Sequence, residues 1–268
     1  MIIGMDDGER LLAAYDAQLR ADAETPNAVA VSVLGPLRLV TFAGGRGFVT
    51  YRDLGGADAD AIVRLVRAAL AHYQADPEIT QVEWKTRGHD HAPGLHQSLV
   101  DHGFVAEEPE SIMIGEAQRL AVDVPLPDGV TLRQVSAERD VRAMCAMSAQ
   151  AFGDSPAEAA AMVDALLRRI SLDDGMELWV AEVDGQVVSA GRLEPVPGTD
   201  FAGIWGGSTL KEWRSRGIYR ALTAARAQSA LRQGKTLINS DSTEYSRPIL
   251  ERYGFLKVST TTPYLWSR

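Results

Sequence analysis

The chain has 268 residues, of which 46% are hydrophobic and 24% charged, a composition typical of folded globular proteins. Its formal net charge of −9 argues against nucleic acid as the main partner, because an acidic surface repels phosphate backbones. Cys145 is the only cysteine, which excludes an intramolecular disulfide. No apolar run reaches the roughly 18 residues that span a bilayer, and the first residues lack a signal-peptide pattern. We therefore expect a cytoplasmic protein without membrane or nucleic-acid partners.

The first half of the chain predicts strands followed by a helix, a strand and a short helix. Residues 28–42 and 48–51 have strand character, with Gly35-Pro36 as a turn, and apolar residues at helical spacing follow between Ile62 and Tyr73. The predicted strand after them covers 81–85, and the short helix covers 95–101.

A stretch rich in proline, aspartate and glycine at 122–129 predicts a linker, because prolines two apart bias the backbone toward extended conformations. The chain beyond it predicts strand, two helices, three strands, helix, strand, short helix and strand. The ranges are 130–135, 137–152, 156–170, 176–183, 186–193, 201–209, 217–233, 236–241, 245–252 and 255–266. This order indicates a mixed α/β fold of the α+β kind, with a mixed sheet. We expect two domains, 1–121 and 130–268.

The two halves share a local signature. Leu99-Val100-Asp101-His102-Gly103-Phe104 corresponds to Leu250-Glu251-Arg252-Tyr253-Gly254-Phe255, about one domain length later. In both halves the signature follows a helix, a strand and a short helix in the same order. The pattern predicts a tandem duplication whose first copy has a shortened start.

The stretch that carries chemistry runs from the strand at 201–209 into the helix at 217–233. Between them lies a basic loop that contains Arg214, Arg216 and Gly217. Backbone N–H groups at a helix start have no intrahelical partner and lie at the positive end of the helix dipole, so this loop is a receptor for phosphate.

Arg214-Ser215-Arg216-Gly217-Ile218-Tyr219 resembles the pyrophosphate-binding loop of the GNAT acyltransferase superfamily, Arg/Gln-x-x-Gly-x-Gly/Ala, and departs from it at Tyr219. The resemblance covers 130–266 and implies two tandem GNAT-like domains, the second of which binds acetyl-CoA. It implies that the N–H groups of 215–220 hold the pyrophosphate and that the strand at 207–210 pairs with the pantetheine arm. The expected acetyl-CoA-binding residues are Gly207, Ser208, Thr209, Leu210, Arg214, Ser215, Arg216, Gly217, Ile218, Tyr219 and Arg220.

The resemblance also implies direct attack of an amine on the thioester, aided by a carboxylate base and a tyrosine acid. The family's tyrosine position is Leu250 here, its asparagine position is Thr243, and the strand at 201–209 contains no carboxylate. We therefore hypothesise that Glu194 acts as the base and Tyr253 as the acid.

Each of these assignments has an alternative. Glu194 could be a surface carboxylate at a hairpin edge, and Tyr253 could be a packing aromatic. Tyr264 is a second candidate for the acid. Asp241-x-x-Glu244 resembles a helix-capping box, which we favour over a catalytic role for Asp241.

The matching loop of the first half, 52–60, carries Asp58 and Asp60 at the helix start. These carboxylates satisfy the helix dipole and repel a second anion, so we expect that the first domain does not bind CoA. All five histidines lie in this half, at spacings that fit no common zinc pattern, and no metal site is expected.

The sequence thus predicts an acetyl-CoA-dependent N-acetyltransferase that acylates a primary amine of a small molecule or peptide. The alternatives are a non-catalytic acetyl-CoA-binding sensor or scaffold, and O-acylation instead of N-acylation. Pairing of sheet edges could produce a homodimer.

Overall fold

The structure is a computed structural model, and it describes residues 6–268. The chain divides into two compact units. Unit 1 comprises Met1–Met113, Asp241–Ile249 and Leu256–Arg268, and unit 2 comprises Ile114–Ser240 and Leu250–Phe255. No helix between residues 6 and 268 has both the length and the apolar character that crossing a membrane requires.

The part of the chain up to Leu120 forms α1 (Asp7–Gln18), β1 (Ala30–Leu34), β2 (Leu37–Phe42), β3 (Arg46–Tyr51), α2 (Ala59–Gln74), β4 (Gln81–Arg87), α3 (Leu95–Asp101), β5 (Val105–Ala106), β6 (Glu110–Glu116) and α4 (Ala117–Leu120). The remainder forms β7 (Thr131–Val135), α5 (Glu138–Phe152), α6 (Pro156–Ile170), β8 (Glu177–Val183), β9 (Gln186–Pro195), β10 (Phe201–Thr209), α7 (Ile218–Arg232), β11 (Leu237–Ser242), α8 (Arg247–Tyr253) and β12 (Leu256–Ser267). The predicted mixed α/β fold is confirmed.

The sequence pattern misses α1, β5, β6 and α4. Helix α1 buries only Leu11 and Tyr15, four residues apart, which is too short an apolar stripe to stand out from its charged neighbours.

The sheet of unit 1 begins with an antiparallel meander, β1–β2–β3. Strand β4 then pairs parallel to β3 after the crossover through α2, and β12 pairs antiparallel to β4. Side chains on one face of β4, such as Val82 and Trp84, join a core with residues of α2 and α3, among them Val66 and Leu99.

The sheet of unit 2 repeats this order. Strands β7, β8, β9 and β10 are antiparallel neighbours, and β11 pairs parallel to β10 after the crossover through α7. That parallel pairing covers only Phe201 to Gly203 of β10, so the rest of β10 extends beyond it. Helices α5 and α6 share a core with β8 and β9 that includes Val141, Leu166 and Val180, and α7 contacts β8, β9 and β10.

The Gly-Phe signature has the same backbone geometry in each unit. The Phe104 N–H donates to the Leu99 carbonyl at 3.0 Å, and the Phe255 N–H donates to the Leu250 carbonyl at 3.1 Å. Gly103 has a φ of 85° and Gly254 a φ of 103°, which a side chain would oppose. The two short helices therefore end in one shared motif, as the duplication hypothesis expects.

The two units are not continuous in sequence. Residues 241–249 and 256–268, which the sequence assigns to the second domain, belong to unit 1, where β12 pairs with β4 over 261–267. Alternation of polar and apolar residues indicates a strand but not which sheet it joins, so this pairing is invisible in the sequence.

Helix α7 brings a cation against the sheet of unit 2. Arg226 is fully buried, and its guanidinium donates to the carbonyls of Arg192 (3.1 Å) and Leu222 (3.2 Å). No carboxylate pairs with it within residues 6–268. A methyl group on Gly191 would lie 2.5 Å from Arg226 Nη1 and 2.9 Å from Cζ, so the guanidinium occupies the space that a side chain on β9 would need.

We expect the substitution Gly191→Ala to destabilise the protein by about 1–3 kcal/mol, the usual cost of overpacking a closed core. Urea unfolding measures the change in the free energy of unfolding. In an Arg226→Ala background the same substitution should cost less than about 0.5 kcal/mol, because the clashing group is gone. An equal cost in both backgrounds would contradict this origin of the destabilisation.

Candidate functional site

Strand β10 carries an irregularity near its end. Its pairing with β9 shifts register between Trp205 and Ser208, and Gly206 has a φ of 60°, a conformation that favours glycine. Such a bulge turns the strand locally and interrupts its pairing. The segment 204–209 thus combines this interruption with an edge that is not paired to β11.

The loop after β10 exposes a run of unpaired backbone donors. Ser215 and Gly217 have φ values of 62° and 80°, and α7 begins at Ile218, whose side chain is buried. The N–H groups of 215–220 have no acceptor within residues 6–268, and the first α7 bond runs from the Ala221 N–H to the Gly217 carbonyl. Successive N–H groups at a helix start form an anion-binding concavity.

The two arginines of this loop differ in their contacts. Arg214 Nε donates to the Thr209 carbonyl at 3.0 Å and its Nη2 to the Ala151 carbonyl at 3.4 Å. The Arg216 guanidinium lies 4.8 Å from the centre of the Trp213 ring. Arg214 therefore fastens the loop to β10 and α5.

Tyr219 replaces a small residue of the resembling pattern, and the structure gives its ring a specific place. A methyl group on Gly207 would lie 2.6 Å from Tyr219 Cε2 and 2.8 Å from its hydroxyl. The ring centre lies 5.9 Å from Arg226 Cζ and 6.2 Å from the centre of the Tyr253 ring. The large side chain is thus accommodated by the missing side chain of Gly207, on the strand segment expected to meet pantetheine.

Glu194 lies on β9 in an ion-pair chain. One carboxylate oxygen accepts from Arg192 Nε at 3.0 Å and the other from Arg169 Nη1 at 3.4 Å. Arg169 Nε also donates to Asp174 at 2.6 Å. Both oxygens of Glu194 are therefore engaged by guanidinium groups, and its side chain is only 21% exposed.

Tyr253 ends α8 and is half-buried. Burial, with a smaller contribution from neighbouring Tyr219, raises the pKa of Tyr253, so its hydroxyl holds its proton at neutral pH. Leu250, at the family's tyrosine position, is 1% exposed. Tyr264 belongs to unit 1, where it hydrogen-bonds His96.

The capping-box interpretation of Asp241 and Glu244 is wrong. Asp241 lies within β11, and its carboxylate accepts from Lys85 Nζ at 3.0 Å. Helix α8 begins only at Arg247, which pairs with Glu244 at 2.7 Å. The strand continues through Asp241 to Ser242, so Asp241 does not start a helix.

The corresponding helix start in unit 1 is filled by its own side chain. The Asp58 carboxylate accepts from the Ala61 N–H at 2.8 Å and caps α2. A carboxylate in this position uses a donor that an anion would need and adds a like charge. In the part of the chain that the structure describes, no three His, Cys, Asp or Glu side chains are arranged to hold a metal ion.

A cavity of about 290 Å³ lies in unit 2 among α5, α6, β9 and the β10 bulge. Arg192 and Gly206 line it on the strands, and Met144, Cys145 and Leu166 line it on the helices. The sequence does not indicate this cavity, because its wall residues come from four separate elements. Unit 2 therefore combines a helix start with unpaired N–H donors, a strand segment that is not paired to β11, and a small, largely apolar cavity that reaches the bulge of the same strand.

Comparison with protein families matches residues 143–263 to the acetyltransferase (GNAT) domain. A comparison with curated proteins gives no match. Among solved structures, a GCN5-related N-acetyltransferase from Kribbella flavida is similar, with 18% identity, a TM-score of 0.68 and coverage of 97% of this chain and 96% of that one. A GCN5-related N-acetyltransferase from Sphaerobacter thermophilus has 17% identity, a TM-score of 0.62 and coverage of 96% of this chain and 90% of that one. A tandem GNAT protein from the clavulanic acid biosynthesis pathway has 14% identity, a TM-score of 0.60 and coverage of 86% of this chain and 78% of that one.

We expect the Cys145 thiol to be unreactive in the folded protein. It is 3% exposed, and burial raises its pKa, so at pH 8 the thiol is protonated and shielded, whereas the thiolate is the reactive form. An aromatic disulfide reagent releases one coloured thiolate for each protein thiol that it modifies. We expect no release with the native protein and one equivalent per chain in urea. Rapid reaction of the native protein would contradict this assignment.

Proposed function

We propose that this chain is an acetyl-CoA-dependent N-acetyltransferase, a proposal supported by the match of residues 143–263 to the acetyltransferase (GNAT) domain. Its acceptor is a primary amine of a small molecule or peptide. The observation that carries the proposal is the run of acceptor-free N–H groups at 215–220, which opens α7 directly after β10. This donor set suits a pyrophosphate, because oriented amides at a helix start stabilise anions without burying a permanent charge.

The residues of unit 2 fit acetyl-CoA along the strand as well. The N–H groups of 215–220 would hold the pyrophosphate, and Arg216 adds positive charge beside them. The segment 207–210 would meet the pantetheine arm on the edge of β10 that is not paired to β11. Asn239, on the neighbouring strand β11, has a buried Oδ1 without a hydrogen-bond partner within residues 6–268, an atom that can accept from an amide N–H. When bound, acetyl-CoA supplies the activated acyl group.

The proposed reaction is direct transfer. The neutral amine attacks the thioester carbonyl, its nitrogen forms the new C–N bond, and the C–S bond breaks. One proton leaves the amine nitrogen and one is delivered to sulfur, so the products are an amide and a thiol. We keep Glu194 as the hypothetical base and Tyr253 as the hypothetical acid. The raised pKa of Tyr253 suits a proton donor, whereas Glu194 must loosen one arginine contact to accept a proton.

The first copy has a different proposed role. The Asp58 cap on α2 supports the hypothesis that residues 1–121 form a degenerate GNAT-like copy that does not bind CoA. One acetyl-CoA per chain is the expected stoichiometry.

A non-catalytic acetyl-CoA-binding protein is the second candidate. Leu250 is buried at the position where a family tyrosine would donate a proton, and Tyr219 packs against Gly207 on the cosubstrate strand. Steady release of CoA with any amine from a library of amines favours the enzyme. Stoichiometric binding without release of CoA favours the sensor or scaffold.

The two glycines that flank α7 provide a matched test of the cosubstrate site. Gly217 and Gly234 have φ values of 80° and 74°, and neither has an atom closer than 3.9 Å to an added methyl group. Alanine at either position strains the backbone by roughly 1–2 kcal/mol. We expect Gly217→Ala to weaken acetyl-CoA binding at least tenfold, because it distorts the N–H receptor, and Gly234→Ala to leave it unchanged.

Calorimetric titration of acetyl-CoA into the wild type and both variants measures the affinity and the stoichiometry. Absence of acetyl-CoA binding to the wild type would contradict the proposed function. Equal weakening in both variants would instead reflect loss of stability and would contradict the assignment of the loop.

The hypothetical acid and base make a separate prediction. We expect Glu194→Gln and Tyr253→Phe to lower kcat about 10²–10⁴-fold, the usual contribution of proton transfer, with little effect on acetyl-CoA affinity. The pH profile of kcat should lose its basic limb in Tyr253→Phe, because the acid must be protonated to donate and burial raises the pKa of Tyr253. Unchanged turnover in both variants would exclude these two assignments.

A further inference from the structure

The cavity beside the β10 bulge has a cation with unused donors. Arg192 lies on β9 and lines the cavity, and its Nε donates to Glu194. Apart from a 3.8 Å contact between Nη1 and the sulfur of Met162, its two terminal nitrogens have no acceptor within residues 6–268. The Arg192 side chain is 22% exposed, so these donors face limited solvent. A planar guanidinium with free terminal donors matches the two oxygens of a carboxylate.

The ion-pair chain fixes this cation in place. Asp174, Arg169, Glu194 and Arg192 alternate in charge along the chain. Arg169 and Glu194 each have a partner on both sides, Asp174 is one end of the chain of ion pairs, and Arg192 is the end that reaches the cavity. Glu194 therefore acts on Arg192 as a positioning residue, because it holds Nε and leaves the terminal nitrogens turned to the cavity.

The position of Arg192 relative to the strand limits where an amine can lie. A methyl group on Gly206 would be 3.6 Å from Arg192 Nη1, so a carboxylate bound there lies beside the bulge. The amine of an α-amino acid is only two bonds from its carboxylate carbon. It therefore reaches the bulge of the strand on which the acyl group is expected, and the Ser148 hydroxyl on the cavity wall is a neutral partner for it.

The remaining wall selects an apolar side chain. Met144, Met162 and Leu166 line the cavity, together with Phe152 at its exposed end. The cavity volume of about 290 Å³ is at the small end of the range for small-molecule sites, which suits a single amino acid. Asp154 and Glu158 also line it and are exposed; Glu158 already accepts from the Ser155 N–H, and their negative charge disfavours an acidic side chain.

We propose that the acceptor is a free α-amino acid with an apolar side chain, whose carboxylate is bound by Arg192 and whose α-amine is acylated. This assignment rests on the proposed N-acetyltransferase function. The amine nitrogen forms the amide bond, the thioester C–S bond breaks, and the net proton passes from nitrogen to sulfur. The products are an N-acetyl amino acid and the CoA thiol.

The test compares leucine and methionine with leucinamide and isoamylamine, which keep the amine and the apolar group but lack the carboxylate. With acetyl-CoA saturating, CoA release is followed and the N-acetyl product is identified by mass. The amino acids should exceed the carboxylate-free amines in kcat/KM by roughly ten- to hundredfold, the effect of a lost charged hydrogen-bond pair. Most of the difference should lie in KM.

Two variants separate recognition from general damage. Arg192→Gln should abolish the preference for the carboxylate while acetyl-CoA affinity stays at the wild-type value. Arg168→Gln removes an exposed arginine of α6 that does not line the cavity and should keep the preference. Glu194→Gln should raise KM for leucine, a change that loss of a base alone does not produce.

Each outcome decides one of the two proposals. Equal rates for leucine and leucinamide would overturn the amino-acid assignment and leave the N-acetyltransferase standing. If no amine is acylated, calorimetric titration of leucine still tests the site: binding that is lost in Arg192→Gln supports the ligand, and no binding overturns it. Absence of acetyl-CoA binding is the separate result that removes the proposed function.

Discussion

The close approach of α7 to its sheet is the constraint on which unit 2 depends. Gly191 and Gly207 leave space on adjacent strands, and two large α7 side chains, Arg226 and Tyr219, fill it. Burial lowers the pKa of Arg226, opposed by nearby Tyr219, and carbonyl acceptors on β9 and α7 take the place of an anionic partner. Burying a guanidinium costs free energy unless acceptors meet its N–H groups. Because one of these acceptors lies on β9, the bond fixes the position of α7 on the sheet.

That position determines what the start of α7 can do. The helix is buried on most of its sides and contacts α4 as well as β8, β9 and β10, so its position is fixed, and its first N–H groups have no intrahelical partner. Arg214 holds the preceding loop through the Thr209 carbonyl, and Ser215 and Gly217 take left-handed conformations. The packing of α7 and the conformation of the loop before it therefore hold the N–H groups of 215–220 in place. An anion can then bind them without the entropic cost of ordering the loop.

Much of this arrangement follows from local sequence signals. The predicted bounds of α6, 156–170, are those observed, and the structure adds a complete capping box between Ser155 and Glu158. The predicted bounds of β10 are those observed, because β-branched, aromatic and glycine residues bracket it. The prediction from local sequence was wrong at Asp241, where the capping pattern competes with a strand. The Asp241 carboxylate pairs with Lys85, which is far away in sequence. A pattern read over four residues contains no information about such a partner.

The acceptor side of the site lies beyond local signals for the same reason. Arg192 is one of many arginines in the sequence, and only the register of β9 with β10, which sets it opposite Trp205, brings it to the bulge. Glu194 stood out because it lies on the strand next to one that lacks a carboxylate. Its chemistry is set by the two guanidinium groups that meet it in space. A carboxylate whose two oxygens are both engaged by guanidinium groups holds those groups in a fixed orientation. The same residue can therefore matter for the reaction in a second way, by holding the acceptor's binding partner, and that contribution appears in KM for the acceptor, beside the effect on kcat expected of a base.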